Sequence, residues 1–162
     1  MVGNLQISER HPLADAAATR ALGATLAERL LSATEGPPLL LLQGDLGAGK
    51  TCLVQGLAAA LGIEEPITSP TFALAQHYAG RLAGGQATAL VHLDLYRLEQ
   101  PAAADELLAQ EEEEASELGA VLAVEWPERL SVLPAGCWQI HLALADPLDP
   151  AAGRRLTLIE PS

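Results

Sequence analysis

With 162 residues, 49% of them apolar, the chain has the size and composition of one compact domain, and we expect residues 1–162 to form a single domain. No apolar run is long enough to cross a bilayer and no basic-then-apolar pattern opens the chain, so we expect a cytoplasmic protein and no membrane association. A formal charge of -12 repels nucleic-acid phosphates, and Cys52 and Cys137 have no His or Cys nearby at metal-ligand spacing, so direct nucleic-acid binding, a zinc site and a disulfide framework are all disfavoured.

In chain order, Pro12 to Ser32 reads as a helix: Leu22, Leu26 and Leu30 stack at i, i+4 spacing, Pro12 suits a first turn, and Gly36 stands just past the end. Leu39 to Gln43 is a short apolar run of the kind that forms a strand buried on both faces. A glycine-rich loop follows, and Lys50 to Leu61 continues as a helix stopped by Gly62 and Pro66. Phe72 to Tyr78 and Thr88 to Asp94 predict an antiparallel hairpin turning at Gly84-Gly85. Asp105 to Glu117 reads as a surface helix, with Glu111 to Glu114 on its solvated side, and Ala120 to Val124 as a buried strand ending at Glu125-Trp126-Pro127. Trp138 to Leu144 and Arg154 to Ile159 are two last strands, joined across the turn-rich segment from Asp146 to Pro150.

The loop Gly44-Asp-Leu-Gly-Ala-Gly-Lys-Thr51 has the phosphate-binding spacing in the right context, after a buried strand and at a helix start. Glycines at 44, 47 and 49 let the backbone bend around a phosphate with its N–H groups inward, and the helix N-terminus adds partial positive charge. Lys50 reaches β- and γ-phosphate oxygens and the Thr51 hydroxyl ligates Mg²⁺ in such loops. Lys50 is also the only lysine in the chain, as expected if an ammonium is chemically required there alone. Interleaved helices and apolar strands then predict an α/β fold: a three-layer, P-loop NTPase-like sheet, mixed parallel and antiparallel, flanked by helices, with its ligand beyond the carboxyl ends of the strands.

A P-loop needs a further carboxylate for Mg²⁺ or its waters, and two strand-end acids compete for that role, Asp94 and Glu125. Each also reads as an ordinary strand-end cap or surface ion pair. Ser69-Pro70-Thr71 is a γ-phosphate sensor or a hydroxyl-stabilised turn. Tyr96 and Arg97 follow Asp94 at the same edge, where Arg97 meets phosphate, an acidic partner or solvent. Trp126 is core or contact. A GTPase is disfavoured because no Asn-Lys-x-Asp segment exists, and a small-molecule kinase because no arginine-rich lid is present. A nucleotide-dependent switch with little turnover stays open.

Taken together, the loop, Thr68-Ser-Pro-Thr-Phe72, His92-Leu-Asp-Leu-Tyr-Arg-Leu98 and Val124-Glu-Trp-Pro-Glu128 resemble the tRNA threonylcarbamoyladenosine biosynthesis protein TsaE family, over about Leu13 to Ile159. The resemblance implies a P-loop ATPase with ATP and Mg²⁺ as cofactors, slow alone and working with the TsaD and TsaB proteins, of which TsaD carries out the threonylcarbamoyl transfer to the adenosine beside the anticodon. Contact with tRNA is then indirect, through those partners. It implies Lys50, Asp94 and Glu125 as catalytic residues, and Thr51 and Glu125 as metal ligands. For the nucleotide it implies contacts from Asp45, Gly47, Ala48, Gly49, Lys50, Thr51, Cys52, Thr71 and Trp126, with the base near Asp15 at the start of the first helix. Cys52 stands where the family often has Thr, which alters contacts at the α-phosphate.

Overall fold

The computed structural model describes residues 8–32, 37–68 and 74–161. Its strands are β1 (Glu9–Leu13), β2 (Leu39–Gln43), β3 (Ala75–Arg81), β4 (Ala87–Asp94), β5 (Val121–Glu125), β6 (Trp138–Leu144) and β7 (Arg154–Ile159). Its helices are α1 (Ala16–Leu31), α2 (Lys50–Ala60) and α3 (Pro101–Leu118). The strands form one sheet in the order β1-β7-β6-β2-β5-β4-β3, parallel from β6 through β2 and β5 to β4, and antiparallel at both sides. The mixed three-layer sheet expected from the sequence is therefore present.

Strand periodicity explains the layers. In β2, Leu40 and Leu42 join the core shared with α1 and α2, whereas Leu41 between them joins the core under α3. A strand covered on both faces has no polar side to present, which is why β2 reads as an unbroken leucine run.

Two boundaries depart from expectation. Pro12 lies in β1, opposite Arg155, and not in a helical first turn; proline is tolerated there because an edge strand leaves one side of its backbone unpaired. The helix begins after Asp15, whose carboxylate accepts from the Ala18 amide at 2.8 Å and caps it. In α3 the start moves up to Pro101, a first-turn proline whose missing N–H costs nothing. The β3–β4 hairpin turns at Gly84-Gly85 as expected, with β3 running on to Arg81.

Helices α1 and α2 meet backbone to backbone. A methyl group on Gly23 would run into the Leu53 carbonyl and lie 2.9 Å from the Leu57 amide, and one on Gly56 would overlap the Arg20 carbonyl. Overpacking of this kind costs about 3 kcal/mol, against about 1 kcal/mol gained from alanine's helix propensity, so Gly56→Ala is expected to destabilise by roughly 2 kcal/mol. That corresponds to a Tm lower by about 4–8 °C in a chain of this size, readable by differential scanning calorimetry; an unchanged or raised Tm contradicts the contact.

Candidate functional site

The close packing of α2 fixes the direction in which its first residue points. Lys50 opens the helix directly after Gly49, whose φ of 108° is a left-handed conformation that side chains resist. Gly47, at φ 81°, has nothing within 4 Å where a side chain would be, so that face of the loop is open. The Lys50 ammonium is buried, only 6% of the residue being exposed, and has no hydrogen-bond partner. It lies 3.9 Å from Glu125 Oε1 and 4.2 Å from the centroid of the Trp126 ring. A buried cation with spare donors requires an anion to complete it.

The acids come from adjacent parallel strands. Asp94 and Glu125 are register partners at the carboxyl ends of β4 and β5. Two residues earlier on β4, on the same face, lies His92, fully buried, with Nε2 2.6 Å from Glu125 Oε2. The imidazole thus holds one oxygen of Glu125 while the other faces Lys50. His92 carried no role in the sequence reading; the signal available was a single ring nitrogen pair inside the apolar run Ala89 to Asp94, on the same face as the acid. Beyond the strands, the Leu95 amide donates to the Glu125 carbonyl at 3.1 Å, tying the two exits together, and the Tyr96 amide donates to Asp94 Oδ1 at 2.9 Å within the β4 exit.

Trp126 is the one non-glycine residue with positive φ (60°) among the described residues. Strained backbone of this type persists where its surroundings hold it. Here the ring packs against the Lys50 ammonium and the Tyr96 ring, 4.8 Å between the two ring centroids, and the Arg129 guanidinium lies 5.6 Å from the Tyr96 centroid. Trp126 is both core and contact: half-buried, packed on the α3-side core and lining the cavity.

Lys50, Asp94, Glu125 and Trp126 line a cavity of about 500 Å³ at the carboxyl ends of the strands, together with Asp15, Thr19, Gly47, Gly49, Thr51, Cys52 and Arg154. Of the residues singled out in the sequence, the structure brings Asp15, Gly47, Gly49, Lys50, Thr51, Cys52, Asp94, Glu125 and Trp126 together. Asp45 and Ala48 instead line a neighbouring hollow, and the Ala48 amide is turned to the Asp45 carbonyl at 3.0 Å. Ser69, Pro70 and Thr71 lie outside the described residues. Glu111, read as part of a solvated face, has its Oε2 2.7 Å from His77 Nε2. Among the described residues no helix is long and apolar enough to cross a membrane.

A family model described as threonylcarbamoyl adenosine biosynthesis protein TsaE matches residues 13–149, most of the chain. The chain belongs to the TsaE family. The tRNA threonylcarbamoyladenosine biosynthesis protein TsaE of Nostoc sp. is 42% identical to it over 135 residues, 83% of this chain and 77% of that one. Its counterpart in Synechocystis sp. is 46% identical over 127 residues (76% and 73% of the two chains), and that of Treponema pallidum 44% identical over 124 (75% and 83%). The crystal structure of Bacillus subtilis YdiB superposes with a TM-score of 0.62 at 24% identity, covering 97% of this chain and 88% of that one, a likeness of fold. The TsaE resemblance read from the four ordered motifs is thus borne out, and all but the threonine-serine-proline loop fall on the described cavity edge.

Within this TsaE-family site, Asp94 carries a measurable signature. Burial, foremost, holds its carboxyl above the usual carboxylate range, and the Glu125 charge adds to it; the Tyr96 amide, His92 and Lys50 act in the opposite direction. Because folding raises this pKa, ionised Asp94 costs stability at neutral pH, and the cost vanishes once pH falls below the unfolded value near 4. Asp94→Asn, without nucleotide, is therefore expected to melt higher than the parent at neutral pH, with the gap closing as the pH is lowered to about 4. Thermal melts across that range check it; a gap independent of pH contradicts the assignment.

Proposed function

We propose that this chain is an ATP-binding and ATP-hydrolysing component of tRNA threonylcarbamoyladenosine synthesis, slow alone and working through TsaD and TsaB. The observation that carries the reading is the buried ammonium of Lys50, without a hydrogen-bond partner, placed at a helix start over an open glycine loop and near two strand-end carboxylates. In this reading the amides of Gly47 and Gly49 to Cys52 cradle the phosphates, and Lys50 binds β- and γ-oxygens. Asp45 and Ala48 shape the loop through their mutual hydrogen bond, and Thr71 senses the γ-phosphate.

The cavity also suits a divalent cation. Asp15, Asp94 and Glu125 face Lys50 and Arg154, so a polyphosphate arriving alone would meet more negative than positive charge. Mg²⁺ is usually bound through one or two protein oxygens with phosphates and water, and the cavity offers the Thr51 hydroxyl and the Glu125 carboxylate. Thr51 and Glu125 would hold it, and when bound it would neutralise charge developing on the phosphates. His92 keeps Glu125 turned into the cavity. Asp94 positions the attacking water at the γ-phosphorus, whose bond to the bridging oxygen breaks to give ADP and phosphate. Trp126 walls the γ-phosphate side, and the base lies toward Asp15.

The names of the 40–46% identical relatives support the pathway, and the net charge of -12 supports leaving tRNA to partner proteins in the cytoplasm. The whole chain would act as a single domain. Co-purification with TsaB and TsaD with and without ATP, followed by a tRNA modification assay, tests the reading. Nucleotide-dependent association and restored modification are expected, and a phosphorylated small-molecule acceptor would overturn it in favour of a kinase.

A further inference from the structure

The cavity has one wall that the family match does not reach: Pro150, Ala151 and Gly153 of the segment between β6 and β7, and Arg154 at the start of β7, all lie past residue 149. This segment is a small folded unit. The Ala151 amide donates to Asp149 Oδ1 at 3.0 Å, the Ala152 amide to the Asp149 carbonyl at 3.0 Å, and the Ala145 amide to the Gly153 carbonyl at 3.1 Å. Gly153 then turns the chain at φ 96°, so close to β1 that a methyl group there would lie 2.5 Å from the Leu13 carbonyl.

Arg154, the first residue of β7, reaches out of this unit. Its Nη1 donates to the Pro150 carbonyl at 2.7 Å and the Gly153 carbonyl at 3.1 Å, while Nη2 donates to the carbonyl of Gly47 at 3.1 Å. One planar guanidinium therefore spans two segments more than a hundred residues apart in sequence, |i−j| = 107. Gly47 itself has a left-handed backbone and open space where a side chain would be, so no side chain of its own packs there.

We infer that Arg154 is a positioning residue: a strap that joins the 150–153 wall to the phosphate loop, so that the loop is ordered before any ligand arrives. A loop fixed in advance does not have to lose that freedom on binding, and the benefit is read in affinity and not in the chemical step. Lysine cannot replace it, because a single ammonium lacks the rigid fork that serves both segments at once. The consequence for nucleotide rests on the function proposed above, whereas the strap itself does not.

The test separates the two. In nucleotide-free protein, hydrogen exchange at Ala48, Ala151 and Ala152, whose amides are bonded inside the two strapped segments, is expected to quicken together in Arg154→Ala and in Arg154→Lys, with exchange in β5 unchanged as a control for folding. Exchange like the parent's at these amides overturns the strap, and so does full recovery by Arg154→Lys, which would mean that charge alone matters. With ATP and Mg²⁺, the expected result for Arg154→Ala is a Kd and KM raised about tenfold with kcat within about twofold of the parent. A fall in kcat at unchanged KM would make Arg154 a group acting on the phosphate and also overturn the inference. If the parent binds no ATP while the exchange difference persists, the strap stands and the nucleotide reading fails.

Discussion

Lys50→Ala is expected to weaken ATP binding by at least a hundredfold. The ammonium supplies charge-assisted hydrogen bonds worth about 1.5–3 kcal/mol each, and with two phosphate oxygens to serve, the loss is about 3–6 kcal/mol, or two to four decades in Kd. Removing it also removes the cation 3.9 Å from Glu125 Oε1, so the variant cavity repels polyphosphate more strongly. The chain has no second lysine, and Arg154, the other cation among the described residues that line the cavity, is engaged with three carbonyls. Calorimetric titration of the folded variant with ATP and Mg²⁺ reads the result directly. Undiminished affinity would rule out the phosphate cradle.

Glu125→Gln should reverse the sign of its effect with magnesium. Glutamine keeps the shape and a carbonyl or amide group for His92, while the negative charge that Glu125 turns toward Lys50 disappears. Without divalent cation, ATP should bind the variant at least as tightly as the parent, because a like charge facing the phosphates has gone. With Mg²⁺ present, the parent should gain affinity and the variant should not, and turnover should fall by about 10²–10³, the range seen when one preorganised electrostatic partner of a transition state is removed. Titrations in chelator and in excess Mg²⁺, alongside phosphate release in the presence of partners, give the comparison. Parent-like magnesium response and turnover together would remove Glu125 from the site.

Much of this was legible in the chain because local chemistry demanded it. The runs Leu39–Gln43, Trp138–Leu144 and Arg154–Ile159 are strands at the boundaries expected of them, since each is apolar or alternating and bounded by turn residues. The phosphate loop was legible because few arrangements need glycines and a lysine at those spacings. Pro12 misled because its fixed φ suits a helical first turn and an edge strand equally, and only pairing with β7 decides between them. Pro101 was passed over because the alanines after it show no apolar period. His92 and Arg154 escaped for a different reason: each matters through a partner 33 or 107 residues away, and no periodicity within either segment encodes that contact.

The touching backbones of α1 and α2 bear on how the molecule can pass on what it senses. Where Gly23 and Gly56 meet there are no side chains to change rotamer, so the two helices cannot adjust by small independent repackings. They are geared together as one plate, with the capped end at Asp15 and the lysine end at Lys50 both on its cavity-facing rim. A displacement of that rim would therefore move α1 and α2 together and not one past the other.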